Sequence, residues 1–217
     1  YLPYIKQMEE FAMDVGGLSK VTELVTAPID ILFLHLCISR VKKTWCIAYR
    51  GDIMKVCFVN PPFKASYGKF SRESRSPAIG HSGVLYYPLW LIYAAALTEQ
   101  NGFDVSFLDA PAKQWNEDEC LTHIQQFTLD DVLFVLDTST PSIHSDLEFA
   151  ASLKRLYPNS FIVLVGTHPT ATVVETMEAE KSVDAIARGE YDFTILELAK
   201  SLVAEKQIGT VAGLSYR

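Results

Sequence analysis

No Cys-x-x-Cys pair occurs in this chain. Its four cysteines, Cys37, Cys46, Cys57 and Cys120, match no zinc ribbon, dithiol redox motif or disulfide ladder. Such thiols read as buried or idle groups in a reducing compartment. Long apolar runs are lacking too. None reaches the roughly 18 residues of a spanning helix, and the most apolar stretch, Ile29 to Ile38, is short and contains His35. No basic segment precedes an apolar core at the N-terminus, so a signal peptide is not indicated. Positive charge is scarce: 19 Lys and Arg stand against 26 Asp and Glu, a net charge of −7. That balance leaves no electrostatic footprint for nucleic acid. Together these absences describe a soluble, cytoplasmic protein with neither nucleic acid nor membrane among its partners.

What is present is ordinary globular composition, 49% hydrophobic and 21% charged over 217 residues. That is enough for one good core and an appendage. A seam falls at Met54. Residues 1–53 hold helix-compatible pieces (Tyr4 to Met13, Leu18 to Val25) that neither alternate with strands nor repeat later. Two readings stay open for this segment. It is a genuine N-terminal extension, or it is upstream nucleotide sequence read in frame, with translation starting at Met54. Arg50-Gly51-Asp52-Ile53-Met54 back-translates to a purine-rich ribosome-binding sequence ahead of a start codon.

From Met54 the chain alternates strand and helix. Lys55 to Asn60 is a buried strand stopped by Pro61-Pro62. A long loop runs from Phe63 to about Tyr86, and its Lys64, Lys69, Arg72 and Arg75 read as a solvated face. Pro88 opens a helix that ends at Asn101-Gly102. Tyr86, Tyr87, Trp90 and Tyr93 at its start suit packing against the sheet, with Tyr86 or Tyr87 lining a ligand as the alternative. Asp104 to Leu108 is the second strand, with a helix from about Asn116 to Phe127 after it. The third strand is Asp131 to Leu136. Ser145-x-x-Glu148 reads as the capping box of the following helix. Phe161 to Val165 and Val183 to Ala187 are strands four and five, each followed by a loop and a helix.

Three central strands are continuously apolar, as strands buried on both faces are. The expectation is therefore an α/β fold: a doubly wound, five-stranded parallel sheet, flavodoxin-like, in the order 2-1-3-4-5 with helices on both faces. In such sheets ligands sit outside the carboxyl ends of the strands. The loops there exclude several chemistries. After strand one stands Asn60-Pro61-Pro62-Phe63 rather than a Gly-rich turn. Proline offers no N–H to a pyrophosphate, which removes dinucleotide and P-loop readings. A phospho-acceptor receiver could use Asp137, but no acidic pair follows strand one and no lysine follows strand five. A receiver-like or interaction module stays as the alternative class. The remaining loops, Thr138-Ser139-Thr140, Gly166-Thr167-His168-Pro169-Thr170 and Gly189-Glu190, are small and mildly polar. They suit a large, flat, largely apolar ligand with a tail.

At these residues the chain resembles the N-terminal cobalamin-binding domain of B12-dependent radical-SAM enzymes. The resemblance rests on VCFVNPPF (Val56 to Phe63), YYPLWLIYAAALTEQNGFDVSFLDAPA (Tyr86 to Ala112), DTSTPS (Asp137 to Ser142), GTHPTA (Gly166 to Ala171), VDAIARGE (Val183 to Glu190) and GLSYR (Gly213 to Arg217). It covers nearly all of residues 54–217 and implies cobalamin bound with its dimethylbenzimidazole tail withdrawn from cobalt. By that resemblance the cofactor-binding residues are Asn60, Pro61, Pro62, Asp109, Ala110, Ser139, Thr140, Gly166, Thr167, His168, Thr170, Gly189 and Glu190. The broader family carries Asp-x-His-x-x-Gly after strand two, its His ligating cobalt from below. Here Pro111 stands at the His position and Gln114 at the Gly position, which implies a base-off, His-off site. The Cys-x-x-x-Cys-x-x-Cys of a [4Fe–4S] site is not in the sequence. The resemblance therefore implies a carrier that does not catalyse alone. S-adenosylmethionine and the cluster would belong to a C-terminal radical-SAM domain of a parent methyltransferase.

Overall fold

A computed structural model describes residues 54–64, 72, 87–126 and 131–217. The two readings of residues 1–53 and most of the 63–86 loop lie outside the described residues.

Three apolar runs build the centre of the sheet. β1 (Lys55–Asn60), β3 (Val132–Asp137) and β4 (Phe161–Val165) lie side by side in parallel, with Phe58 opposite Val135 and Val135 opposite Val163. β2 (Asp104–Asp109) flanks β1, and β5 (Ala185–Ala187) flanks β4. Parity divides the side chains between two layers. Val56, Phe58, Leu133, Val135, Val163 and Val165 pack under α1 (Leu89–Gln100) and a C-terminal helix (Asp192–Val203), α7 below. Cys57, Val59, Phe134, Leu136, Ile162 and Leu164 pack under the helices of the opposite face. Those helices are α3 (Glu117–Gln125), α4 (Ile143–Leu156) and α6 (Val173–Ala179). Two short helices, α2 (Ala110–Lys113) and α5 (Thr167–Ala171), follow β2 and β4 at the sheet's carboxyl edge.

The strand order is β2-β1-β3-β4-β5-β6, so the expected 2-1-3-4-5 core is present with a sixth strand added. β6 (Leu214–Tyr216) runs antiparallel to β5. Three residues are too few to show a strand period. The reversal is made at Gly213, whose φ of +79° favours glycine.

Local signals placed some elements a turn away. α4 starts at Ile143 with Ser142 at its N-cap, so Ser145 lies in the first turn and donates to the Ser142 carbonyl at 2.8 Å. The capping box expected at Ser145 and Glu148 is instead found on α3. There Asn116 Oδ1 accepts from the Glu119 N–H at 3.0 Å, and Glu119 Oε2 accepts from the Asn116 N–H at 2.8 Å. The aromatic residues of α1 do not enter the core. Tyr87, Trp90 and Tyr93 are 76%, 55% and 54% exposed, because Leu91, Ala94 and Ala95 already fill the side facing the sheet.

Candidate functional site

All five parallel strands end on the same edge, and the loops leaving them bring the predicted residues together there. The edge has two halves of different character.

The half above β1, β2 and β3 is filled by the protein itself. Asn60 at the end of β1 donates from Nδ2 to Asp109 Oδ1 across the β1–β2 pair at 2.9 Å. Its Oδ1 accepts from the Arg72 guanidinium at 2.6 Å, and the same nitrogen donates to the Pro61 carbonyl at 2.9 Å. Arg72 then pairs through its other terminal nitrogen with Asp146 Oδ1 of α4 at 2.6 Å, its carbon centre 4.6 Å from the Phe63 ring centroid. Asp146 Oδ2 accepts from Thr138 Oγ1 at 2.5 Å and from Ser142 Oγ at 2.6 Å. Both charged side chains are essentially enclosed, at 1% and 0% exposure. Arg72 is therefore no part of a solvated face, as its loop suggested in sequence. Asn60, Pro61, Pro62 and Ala110 are buried beside it, and Asp109 is half-buried. The crevice between β1 and β3, where a ligand sits in many folds of this order, is occupied by an internal ion pair. Asp137, the residue a receiver would phosphorylate, is only 5% exposed.

Among the described residues, the half above β3, β4 and β5 carries small polar groups, several of them exposed. The loops are stitched to one another. His168 Nδ1 and Thr140 Oγ1 lie 3.1 Å apart, joining the loops after β4 and β3. Thr170 Oγ1 accepts from the Gly189 N–H at 3.1 Å, joining the loops after β4 and β5. Thr140, Thr167, Gly189 and Glu190 are exposed, while Ser139 is buried. Burial and the nearby His144 hold His168 below the usual histidine range, with Glu175 opposing them. Both effects favour the neutral imidazole. Gly166 sits at φ +115° where β4 meets α5, and a Cβ there would lie 2.1 Å from the Thr138 carbonyl oxygen. This close approach lets the β3 and β4 loops run side by side.

Comparison with known proteins identifies the family. Residues 75–199, more than half the chain, match the family described as the B12 binding domain. The chain belongs to the B12-binding domain family. An uncharacterized methyltransferase of Pyrococcus horikoshii is 28% identical over 165 residues, which span 76% of this chain and 33% of that protein. The anaerobic magnesium-protoporphyrin IX monomethyl ester cyclase of Synechocystis is 24% identical over 164 residues, spanning 76% and 31%. The chain thus spans about a third of the length of these curated relatives. Among solved structures, the cobalamin-dependent S-adenosylmethionine radical enzyme OxsB, with aqua-cobalamin and S-adenosylmethionine bound, superposes with a TM-score of 0.59 at 15% identity. That match covers 76% of this chain and 21% of OxsB. The radical S-adenosylmethionine methyltransferase TsrM from Kitasatospora setae, with cobalamin and a [4Fe–4S] cluster bound, gives 0.55 at 13% identity, covering 76% and 29%.

The residues above β3, β4 and β5 fit the family's cofactor. A Cβ built on Gly189 meets nothing within 4 Å, so the backbone there is approachable. Its N–H donates to Thr170 Oγ1, and Thr140 and Thr167 offer hydroxyls at exposed positions of the neighbouring loops. A corrin with its amide side chains needs such small, hydrogen-bonding surroundings. Below the edge, α2 presents Asp109 to Gln114 without an imidazole, and Pro111 is buried. Nothing in the sequence reading pointed to the buried Arg72, Asp146 and Ser142 network. The one available signal was an aspartate four positions after a loop serine, in the first turn of a helix.

Proposed function

We propose that this chain holds cobalamin on the half of the sheet edge above β3, β4 and β5, base-off and without a histidine ligand from the protein. It would be the cofactor-carrying part of a B12-dependent radical-SAM enzyme. The stitched loops carry this reading: Thr140 to His168 and Thr170 to Gly189 form one continuous polar rim beside an approachable backbone. Pro111 supports the His-off state, since proline has no group that can ligate cobalt. Cobalamin supplies a cobalt that accepts and releases an alkyl group. Methyl transfer is the reaction this reading favours for the whole protein, with S-adenosylmethionine and the cluster held outside the 217 residues. The length of the relatives and the two radical enzymes of the same fold support that assignment. Reduced, buried Cys57 and Cys120 suit a cytoplasmic setting.

The test is retention. The 217-residue chain is incubated with hydroxocobalamin, desalted, and read by absorption spectroscopy. Stoichiometric corrin with a base-off spectrum supports the proposal. A folded chain that releases all corrin contradicts it. Replacing Gly189 by Glu puts a charged side chain at a backbone of φ +71° and costs some stability; it is expected to abolish retention under conditions where circular dichroism shows the variant still folded.

A further inference from the structure

We infer that the crevice between β1 and β3 is a receptor for a guanidinium cation, that the chain's own Arg72 is its resident ligand, and that this occupancy fastens the segment after β1 to α4. The inference is independent of the cobalamin reading.

Sheets of this strand order receive ligands at this crevice. Here Asn60, Pro61, Phe63 and Asp146 converge on one cation. Arg72 Nη1 donates to Asn60 Oδ1 at 2.6 Å and to the Pro61 carbonyl at 2.9 Å. Nη2 donates to Asp146 Oδ1 at 2.6 Å, and Nε makes a longer contact of 3.5 Å with Asp146 Oδ2. The carboxylate meets one edge of the guanidinium, and two neutral oxygens meet another. The Phe63 ring centroid lies 4.6 Å from its central carbon. This arrangement is the complement of a planar cation with five N–H donors in a fixed fork. A lysine ammonium is a compact point charge and cannot meet both edges.

The acceptors are placed by elements that do not include Arg72. Asn60 ends β1, and Asp146 lies in the first turn of α4. Thr138 and Ser142 donate to the Asp146 carboxylate at 2.5 and 2.6 Å. Arg72 arrives separately on the long loop, 12 positions after Asn60 and 74 before Asp146. Removing its side chain therefore leaves a formed site around a buried carboxylate. A buried charge without its partner is costly, and relieving that cost drives uptake of a free guanidinium. Along the chain the same contact is a fastening. Lys64 adds an ion pair with Glu148 on α4, but both partners are exposed. Exposed pairs contribute little, so the buried pair carries the hold.

Chemical rescue tests both parts. The full chain carrying Arg72→Ala is titrated with methylguanidinium, with methylammonium at equal ionic strength as the control. Methylguanidinium is expected to stabilise the variant saturably. At a hundred times its dissociation constant, the folded-to-unfolded ratio should rise about a hundredfold. If Arg72→Ala does not fold alone, recovery of its circular dichroism on adding methylguanidinium reads the same binding. The double variant Arg72→Met, Asp146→Leu, which has no carboxylate to offer, should not respond. No stabilisation of Arg72→Ala, equal stabilisation by methylammonium, or a response kept by the double variant overturns the receptor. Trypsin tests the fastening. At saturating methylguanidinium, cleavage after Lys64 in Arg72→Ala should stay about tenfold faster than in wild type, because the free cation carries no chain and the segment still opens. Cleavage returned to the wild-type rate would show that Arg72 does not hold the segment and overturns that part.

Discussion

Gly166 and Thr138 come so close that a single methyl group on the glycine would stand 2.1 Å from the threonine carbonyl oxygen. The contact holds the ends of β3 and β4 together at the edge where the rim begins. Gly166→Ala must therefore both strain a backbone at φ +115° and push the loops apart. Strain of this kind costs about 1–3 kcal/mol before the clash is counted. Chemical denaturation should show at least that loss, and corrin retention should fall with it. A variant of wild-type stability would show that the two loops are free to separate.

The buried ion pair makes a second demand. Asp146→Ala leaves the Arg72 guanidinium enclosed without its carboxylate and removes the acceptor of Thr138 and Ser142. Breaking such a pair from one side costs about 3–5 kcal/mol. Urea unfolding is expected to show a loss in that range. The double variant Arg72→Met, Asp146→Leu should recover much of the stability, because it removes both charges at once.

Acidification should weaken the domain through His168. Its folded value lies below the ordinary histidine range, so between those two values the unfolded chain binds more protons than the folded one. Stability is then retained above the ordinary range and falls as pH drops through it, with no further loss from this group below its folded value. Melting temperatures of wild type and His168→Gln, measured from pH 7.5 to pH 5, test this. The variant should show the shallower decline. Parallel curves would mean that His168 does not titrate differently on folding.

Two thiols should be silent. Burial pushes the Cys57 thiol far above its usual range, with Cys120 adding to it and Lys55 opposing. Cys120 is pushed up to about 12, by burial and then by Glu117. The thiolate is the reactive species. Iodoacetamide at pH 8, followed by peptide mapping, should modify neither residue in the native chain and both in denaturant. Native labelling of Cys57 would contradict the packing of β1 under α3 and α4.

The sheet was legible because its strands are buried on both faces: VCFV, VLFVL and FIVLV are apolar without alternation, and no other element of that length fits such runs. The rim loops were legible because strand ends locate them. What was not legible has one physical cause, which is that partners far apart in sequence leave no local trace. Arg72 looks like its neighbours Lys64 and Arg75 in composition, yet it finds Asp146 and is sealed from water. Trp90 and Tyr93 look like core residues, yet small residues one turn away, Ala94 and Ala95, took the inner face and left the two rings stacked edge-on in solvent, 6.1 Å apart. The capping signal at Ser145 and Glu148 is as good in sequence as that at Asn116 and Glu119. It lost because α4 begins one turn earlier, at Ser142, where Asp146 can turn inward.

The central claim, cobalamin held base-off with no ligand from the protein, is tested most directly by electron paramagnetic resonance of the reduced complex. The full chain is loaded with hydroxocobalamin, desalted, reduced to cob(II)alamin and frozen. The account predicts a bound cob(II)alamin signal whose cobalt lines show no splitting by an axial nitrogen, unchanged in His168→Gln. A nitrogen splitting that His168→Gln removes would place a protein imidazole on cobalt and contradict the His-off site. A nitrogen splitting that persists would show the tail still attached to cobalt and contradict its withdrawal into the rim.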